Sequence, residues 1–243
     1  MAKVKGQPLG KISGAVGDVV YRLVDGKNIV CRRPGSFMPG TDRKSVERRM
    51  KFALAVKFAR AMYSVPELKL LWQNASPEKK HTYNFILRKG LDMVSPTSIM
   101  DSAAITPPHK GGAERYGFPI SCTTLSATAE GIDVELAAIG SLCGSDMSEE
   151  TNADSSLAAG LVYVVSLMGP ANENFPEILF ISGVSESKPL ALDKALTFKI
   201  ALSGRDVESF ENYSRRKILL ALLALDTTND IVAYSGTLVS ELT

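Results

Sequence analysis

Two histidines, three cysteines and one tryptophan in 243 residues leave little material for metal or nucleophile chemistry. His81 and His109 belong to no Cys/His ligand pattern, so no metal site is expected. Cys31, Cys122 and Cys143 are odd in number and far apart, which fits neither a disulfide framework nor a Cys-x-x-Cys site and points to a reducing compartment. Long apolar runs are missing too. The stretch over residues 218–225 falls far short of the roughly 20 residues that span a bilayer, so no membrane partner is expected. Met1 to Gly6 leads into no apolar segment and predicts no signal peptide. A cytoplasmic setting is therefore expected, or a virion or particle if the chain is phage-encoded.

The 45% apolar content is that of an ordinary globular chain, and the net charge of +2 looks unremarkable until the chain is divided at Gly90. Residues 1–90 hold 19 Lys/Arg against 6 Asp/Glu, a net +13, and residues 91–243 hold 9 against 20, a net −11. Asymmetry of this size marks either a polyanion-binding part or two surfaces that attract each other, within a molecule or between copies.

Local signals divide the chain in three. Residues 1–93 form a basic region: an extended, glycine-bearing arm to residue 17, then a hairpin, then three helices. Asp25-Gly26 between alternating apolar runs is a strong hairpin signal, because a type I′ turn needs two residues at positive φ. Val19, Tyr21 and Leu23 then share one face. Asp42 caps a helix to about Tyr63 with Val46, Met50, Ala53, Leu54, Phe58, Ala61 and Met62 as its buried stripe. Pro66 opens a second helix through Trp72, and Ser76-Pro77 opens a third that ends at Gly90. Residues 94–117, with Pro96, Pro107, Pro108, Gly111 and Gly112 and no clear period, read as a linker. Residues 118–243 read as an acidic all-β domain with strands over 118–128, 132–139, 160–168, 177–184, 195–202, 217–225 and 231–239, the pattern of an immunoglobulin- or fibronectin-like β-sandwich. The fold class expected is thus α+β.

No motif points to catalysis. Gly6 to Lys11 resembles a phosphate-binding loop, but its spacer is one residue short and Ile12 stands where Ser or Thr should hold magnesium. Gly10, Gly14 and Gly17 lack the strand and acid of a dinucleotide site, so no cofactor is expected. Cys143 has no evident base, and Asp146, Glu149, Glu150 and Asp154 read as a solvated loop before a weak calcium site. The chain is not expected to be an enzyme.

Two constellations remain. Arg32, Arg33, Arg43, Lys44, Arg48, Arg49 and Lys51 could fork onto several phosphates, with Lys44, Arg48 and Lys51 on one helix face; the alternatives are a solvated face or one that meets the acidic domain of a neighbouring copy. Aromatic residues near this cluster are few, Phe37 and Phe52 being the nearest, which gives single-strand stacking little support. The second is the partly apolar arm, Leu9, Ile12, Val16, Val19 and Val20, able to add to a neighbour's sheet edge.

The segments Met1-Ala2-Lys3-Val4-Lys5-Gly6, Gly10-Lys11-Ile12-Ser13-Gly14-Ala15-Val16-Gly17-Asp18-Val19-Val20, Arg32-Arg33-Pro34 and Arg48-Arg49-Met50-Lys51-Phe52 resemble a Bacteroidetes family carrying a domain of unknown function. The resemblance implies a glycine-bearing basic N-terminal segment joined to a β-rich C-terminal domain, and implies no activity for any residue. The expectation is a structural, self-assembling homo-oligomer, a filament, shell or phage-like particle subunit, in which opposite charge favours head-to-tail contact. The alternative is a sequence-nonspecific nucleic-acid-binding protein.

Overall fold

A computed structural model of the protein describes residues 2–3, 13–33, 35, 38–77, 81–108, 118–128, 131–142, 157–172 and 175–242. The chain is mixed α+β and β-rich, and it divides into two compact units, Met1–Val46 and Glu47–Thr243.

The first unit holds an antiparallel sheet of β1 (Ala2–Lys3), β2 (Gly14–Val16), β3 (Val19–Val24) and β4 (Lys27–Arg32) in the order β1-β4-β3-β2. The expected hairpin is present: Asp25 (φ 48°) and Gly26 (φ 75°) supply the two positive dihedrals of a type I′ turn. Val19 pairs with Arg32, Tyr21 with Val30 and Leu23 with Asn28, so Val19, Tyr21 and Leu23 do share a face. Part of the expected free arm is built into this sheet. Gly14, Ala15 and Val16 pair with Tyr21, Val20 and Val19 across a turn that Gly17 makes at φ 55°.

Helix α1 (Arg43–Ser64) begins in the first unit and continues into the second. Asp42 caps it as expected, its carboxylate and carbonyl both accepting from the Ser45 amide at 3.0 Å. The buried stripe is shorter than the sequence period suggests. Leu54, Phe58, Ala61 and Met62 are buried, whereas Val46 and Ala53 are exposed and Met50 is half-buried. Apolar spacing says which side of a helix can be buried, and only neighbours decide how far along its length burial extends.

In the second unit α1 is followed by α2 (Pro66–Ala75) and α3 (Thr82–Gly90), which pack on a large antiparallel sheet. At its centre lie two long strands, β7 (Ala158–Pro170) and β11 (Tyr213–Leu225), paired from Ala158 with Leu225 to Pro170 with Tyr213. Strands β8 (Ile178–Val184) and β9 (Lys188–Pro189) pair with β7, and β12 (Ile231–Tyr234) and β13 (Leu238–Leu242) pair with β11. A smaller sheet, in the order β10-β6-β5, is formed by β5 (Cys122–Thr128), β6 (Gly131–Leu136) and β10 (Leu196–Ala201). The short helices α4 (Ile139–Leu142) and α5 (Gly204–Glu211) complete the unit, the latter closed by a Ser203/Asp206 capping box.

Because successive side chains point to opposite faces, each central strand serves two cores. Val162, Val164, Leu219, Ala221 and Leu223 pack with Leu54, Phe58, Met62, Leu68, Trp72 and Ile86 of the helices. Leu161, Val165, Ile218, Leu220 and Leu222 pack with Ile132, Val134, Leu136, Phe198 and Ile200 of the small sheet. The layers therefore run helices, large sheet, small sheet, and the β7 and β11 residues are buried on both faces. The sequence leaves open whether the helical region and the β-rich region pack together; here the helices cover the outer face of the large sheet.

Residues 94–108 of the expected linker are packed into this unit. Val94, Ile99, Ala103 and Ile105 are buried, and the Trp72 indole donates to the Ile105 carbonyl at 2.7 Å. Thr106 donates to the Ser235 carbonyl at 3.2 Å, and the Thr237 hydroxyl accepts from the Ile105 amide at 2.9 Å. Proline and glycine break the periodicity of this stretch without removing its apolar side chains. Residues 109–117 lie outside those described, as do Cys143 and the acidic loop residues Asp146, Glu149, Glu150 and Asp154. Each expected strand has a counterpart, the last one divided into β12 and β13, while β9, α4 and α5 are not among the expected elements, α4 standing where a strand end and a loop are expected.

Candidate assembly surface

In the first unit none of the described residues from Ser13 onward is buried. Val16 is 68%, Leu23 39% and Val24 45% exposed. A sheet normally stabilises itself by covering at least one apolar face with another layer. Register assigns the two faces. On one lie Val16, Val19, Tyr21, Leu23 and Val30, with Asn28 and Arg32 at its ends. On the other lie Ala15, Val20, Val24, Ile29 and Cys31 together with Arg22 and Lys27. The Arg22 and Lys27 side chains are exposed, and Cys31 donates to the Val20 carbonyl at 3.5 Å.

Of the five residues expected to form the arm, Val16 ends β2, and Val19 and Val20 open β3 in a half-buried position; Leu9 and Ile12 lie outside the described residues. The basic set is divided by the chain's two units. Arg32 ends β4 and Arg33 follows it, its amide donating to the Asp18 carbonyl at 2.6 Å. Arg43 and Lys44 open α1, and Arg48, Arg49 and Lys51 follow along it, with Lys51 half-buried and the other four exposed. Spacing of four and three residues sets Lys44, Arg48 and Lys51 along one side of the helix. Sequence reading missed Arg22 and Lys27, because only the strand register shows that they flank an apolar patch.

Elsewhere the described residues form shallow concavities, among them the following two. One, of about 310 Å³, lies on the outward face of the small sheet beside Asp133, Glu135, Lys188 and Lys199. Its charges are already engaged in part: Thr124 donates to Glu135 at 2.8 Å, and Lys188 donates to the Thr197 carbonyl at 2.6 Å. The other, of about 190 Å³, is lined by Tyr63, Lys69, Gln73 and Tyr83, with the Lys69 ammonium 4.9 Å from the Tyr63 ring centre. Among the described residues no group of three His, Cys, Asp or Glu side chains is placed to hold a metal ion, and no helix is long and apolar enough to cross a membrane. Burial pushes the Cys122 thiol and the Tyr163, Tyr213 and Tyr234 phenols above their ordinary values, which keeps each protonated at neutral pH.

No family model and no curated protein matches the chain. Among solved structures, a β-glucosidase from Kluyveromyces marxianus aligns with 53% of this chain at 12% identity and a TM-score of 0.21. The alignment spans only 15% of the β-glucosidase chain. A likeness at that score carries no weight for fold or for function.

Proposed function

We propose that the protein is a non-enzymatic structural subunit that self-associates through its N-terminal sheet, as a filament, shell or phage-like particle component. The observation that supports this reading is the unit over residues 1–46, whose described residues from Ser13 onward present apolar side chains on both sheet faces and bury none. Covering such a face is worth about 25 cal/mol per Å² of apolar surface, a gain open to a second copy of the chain. In this reading the two facing sheets of the other unit serve as the sandwich that the sequence pattern likened to immunoglobulin and fibronectin domains. The setting proposed is the cytoplasm or a particle, and the family proposed is the Bacteroidetes one that the N-terminal segments resemble.

Removal of residues 1–33 tests the reading. Both hydrophobic cores begin at or after Leu54, so the truncated chain is expected to retain its cooperative unfolding. It is also expected to lose every species larger than a monomer in light scattering. Large assemblies that survive the truncation refute the proposal.

A second reading rests on the exposed cations of α1. Lys44 and Arg48 line one side of the helix with Lys51, a spacing that lets them neutralise successive phosphates of a nucleic acid without reading its sequence. Replacing Arg43, Lys44, Arg48 and Lys51 by glutamate should then abolish a strongly salt-dependent binding to duplex DNA. Binding that ignores the substitutions removes this alternative.

A further inference from the structure

We infer that copies of the chain also pair through the open edge of β8, strand against antiparallel strand about a twofold axis at Ser182. The inference rests on the assembly reading above and adds a contact on the second unit, so that each copy can touch two neighbours, the minimum for a filament or a shell. Strand β8 ends the order β12-β11-β7-β8. The Ser185 amide donates to the Leu161 carbonyl at 2.8 Å, which fixes the phase of the ladder between β7 and β8. Leu179, Ile181 and Gly183 therefore bond to β7, and Ile178, Phe180, Ser182 and Val184 turn their amides and carbonyls outward. The Lys57 ammonium takes the Ile178 carbonyl at 3.2 Å. Among the described residues no hydrogen bond reaches the outward backbone groups of Phe180, Ser182 and Val184.

Other strand edges of this unit carry guards against strand addition. On β10 the Thr197 carbonyl is held by Lys188 at 2.6 Å, β5 has a register shift between Cys122 and Thr124, β12 is four residues long and β13 carries Glu241. Strand β8 has seven residues, an unbroken register and neither charge nor proline.

Self-complementarity identifies the occupant as a second copy. With Ser182 opposite its own counterpart, Phe180 lies opposite Val184, and every outward amide and carbonyl of the three residues finds a partner. An axis at Ile181 would instead need the Ile178 carbonyl that Lys57 occupies. Continued one step beyond the ladder, the Ser182 register sets the exposed Glu186 of one copy level with Ile178 of the other, where the exposed Lys57 sits. The contact thus joins opposite charges at both its ends. A bare strand edge buries little, and its bonds alone do not offset the freedom lost on association. It therefore forms between copies that the N-terminal sheet already holds close.

The test uses the full chain carrying Cys31→Ser, Cys122→Ser, Cys143→Ser and Ser182→Cys. Opposed residues of a hydrogen-bonded antiparallel pair have Cα atoms about 5.5 Å apart, within disulfide reach. Mild oxidation of the assemblies is expected to link this chain into covalent dimers, and to link far less of the same chain with Thr197→Cys on the guarded β10 edge in place of Ser182→Cys. Charge provides a second readout that needs no new cysteine. Lys57→Glu and Glu186→Lys each set like charges together and should lower the mean mass in light scattering, whereas the two combined should restore it. Both side chains are exposed, so neither change disturbs a core. Assemblies in which Ser182→Cys links no more than Thr197→Cys, or a double exchange that restores nothing, overturn the β8 contact and leave the assembly reading standing. A monomeric wild-type chain overturns both.

Discussion

The ammonium of Lys217 lies 2.6 Å from the Asp101 carboxylate and 3.3 Å from the Ile99 carbonyl, and so ties the packed segment after α3 to the central strand β11. The pair is lopsided. Lys217 is buried, with 10% of its side chain exposed, while Asp101 is 89% exposed. Asp101→Ala therefore leaves a buried cation whose partner among the described residues is the Ile99 carbonyl, and should destabilise the chain by about 1–2 kcal/mol. Lys217→Met, close in shape and free of charge, leaves Asp101 to water and should cost less. Chemical denaturation of both variants checks the order, and a costlier Lys217→Met would mean that the lysine acts through more than this pair.

Trp72 holds the same segment from the helical layer. Its indole N–H donates to the Ile105 carbonyl at 2.7 Å, and the ring is fully buried against the edge of Phe85, with 5.8 Å between centroids. Trp72→Phe keeps an aromatic ring and orphans the carbonyl, for an expected loss of about 1–2 kcal/mol. Trp72→Ala should cost roughly 3–5 kcal/mol by opening a cavity. Because the chain has a single tryptophan, the melts of these variants need circular dichroism as the probe.

Gly131 opens β6 where a Cβ atom would collide with the Ile200 carbonyl oxygen of β10. A backbone atom cannot swing away as a long side chain can. Gly131→Ala should therefore part the two strands or shift their register, at a cost of about 3 kcal/mol, near the upper end for overpacking. A melting temperature within a degree of wild type would show that the strands yield more easily than this contact implies.

Asp226 sits in the turn between β11 and β12, where hydrogen bonds from the Thr228 hydroxyl, and from the Asp230 and Thr228 amides, hold its carboxyl below the usual carboxylate range. A depressed folded-state value contributes stability that is present above the unfolded-state value and is lost as pH falls through the folded one. Thr228→Val removes the largest of these donors and should move the Asp226 titration upward, as followed by carboxyl NMR. An unchanged titration would assign the depression to the two amides alone.

At Gly26 the φ of 75° is one that alanine adopts only at a cost. Gly26→Ala should weaken the first unit by about 1 kcal/mol and leave the second unit's unfolding unchanged, because neither hydrophobic core includes a residue before Leu54. Hydrogen exchange of the Val19–Val24 and Lys27–Arg32 amides measures the first effect, and denaturation of the full chain the second.

What the sequence determined by itself was the set of features whose causes lie within a few residues. The Asp25-Gly26 turn, the Asp42 cap, the proline at the start of α2 and most strand positions follow from local dihedral and hydrogen-bonding demands, and each was legible. The tertiary structure alone decided which sides of the strands are covered. The runs over residues 160–168 and 217–225 are apolar at nearly every position, and such a run states that both faces are buried without stating by what. Helices supplied one cover and the small sheet the other, which placed the helical region and the β-rich region in one unit. The division between compact units came instead at Val46/Glu47, inside a continuous helix that no composition shift marks. Arg22 and Lys27 were likewise invisible as a pair, since strand register, a non-local property, is what sets them around Val20, Val24 and Ile29.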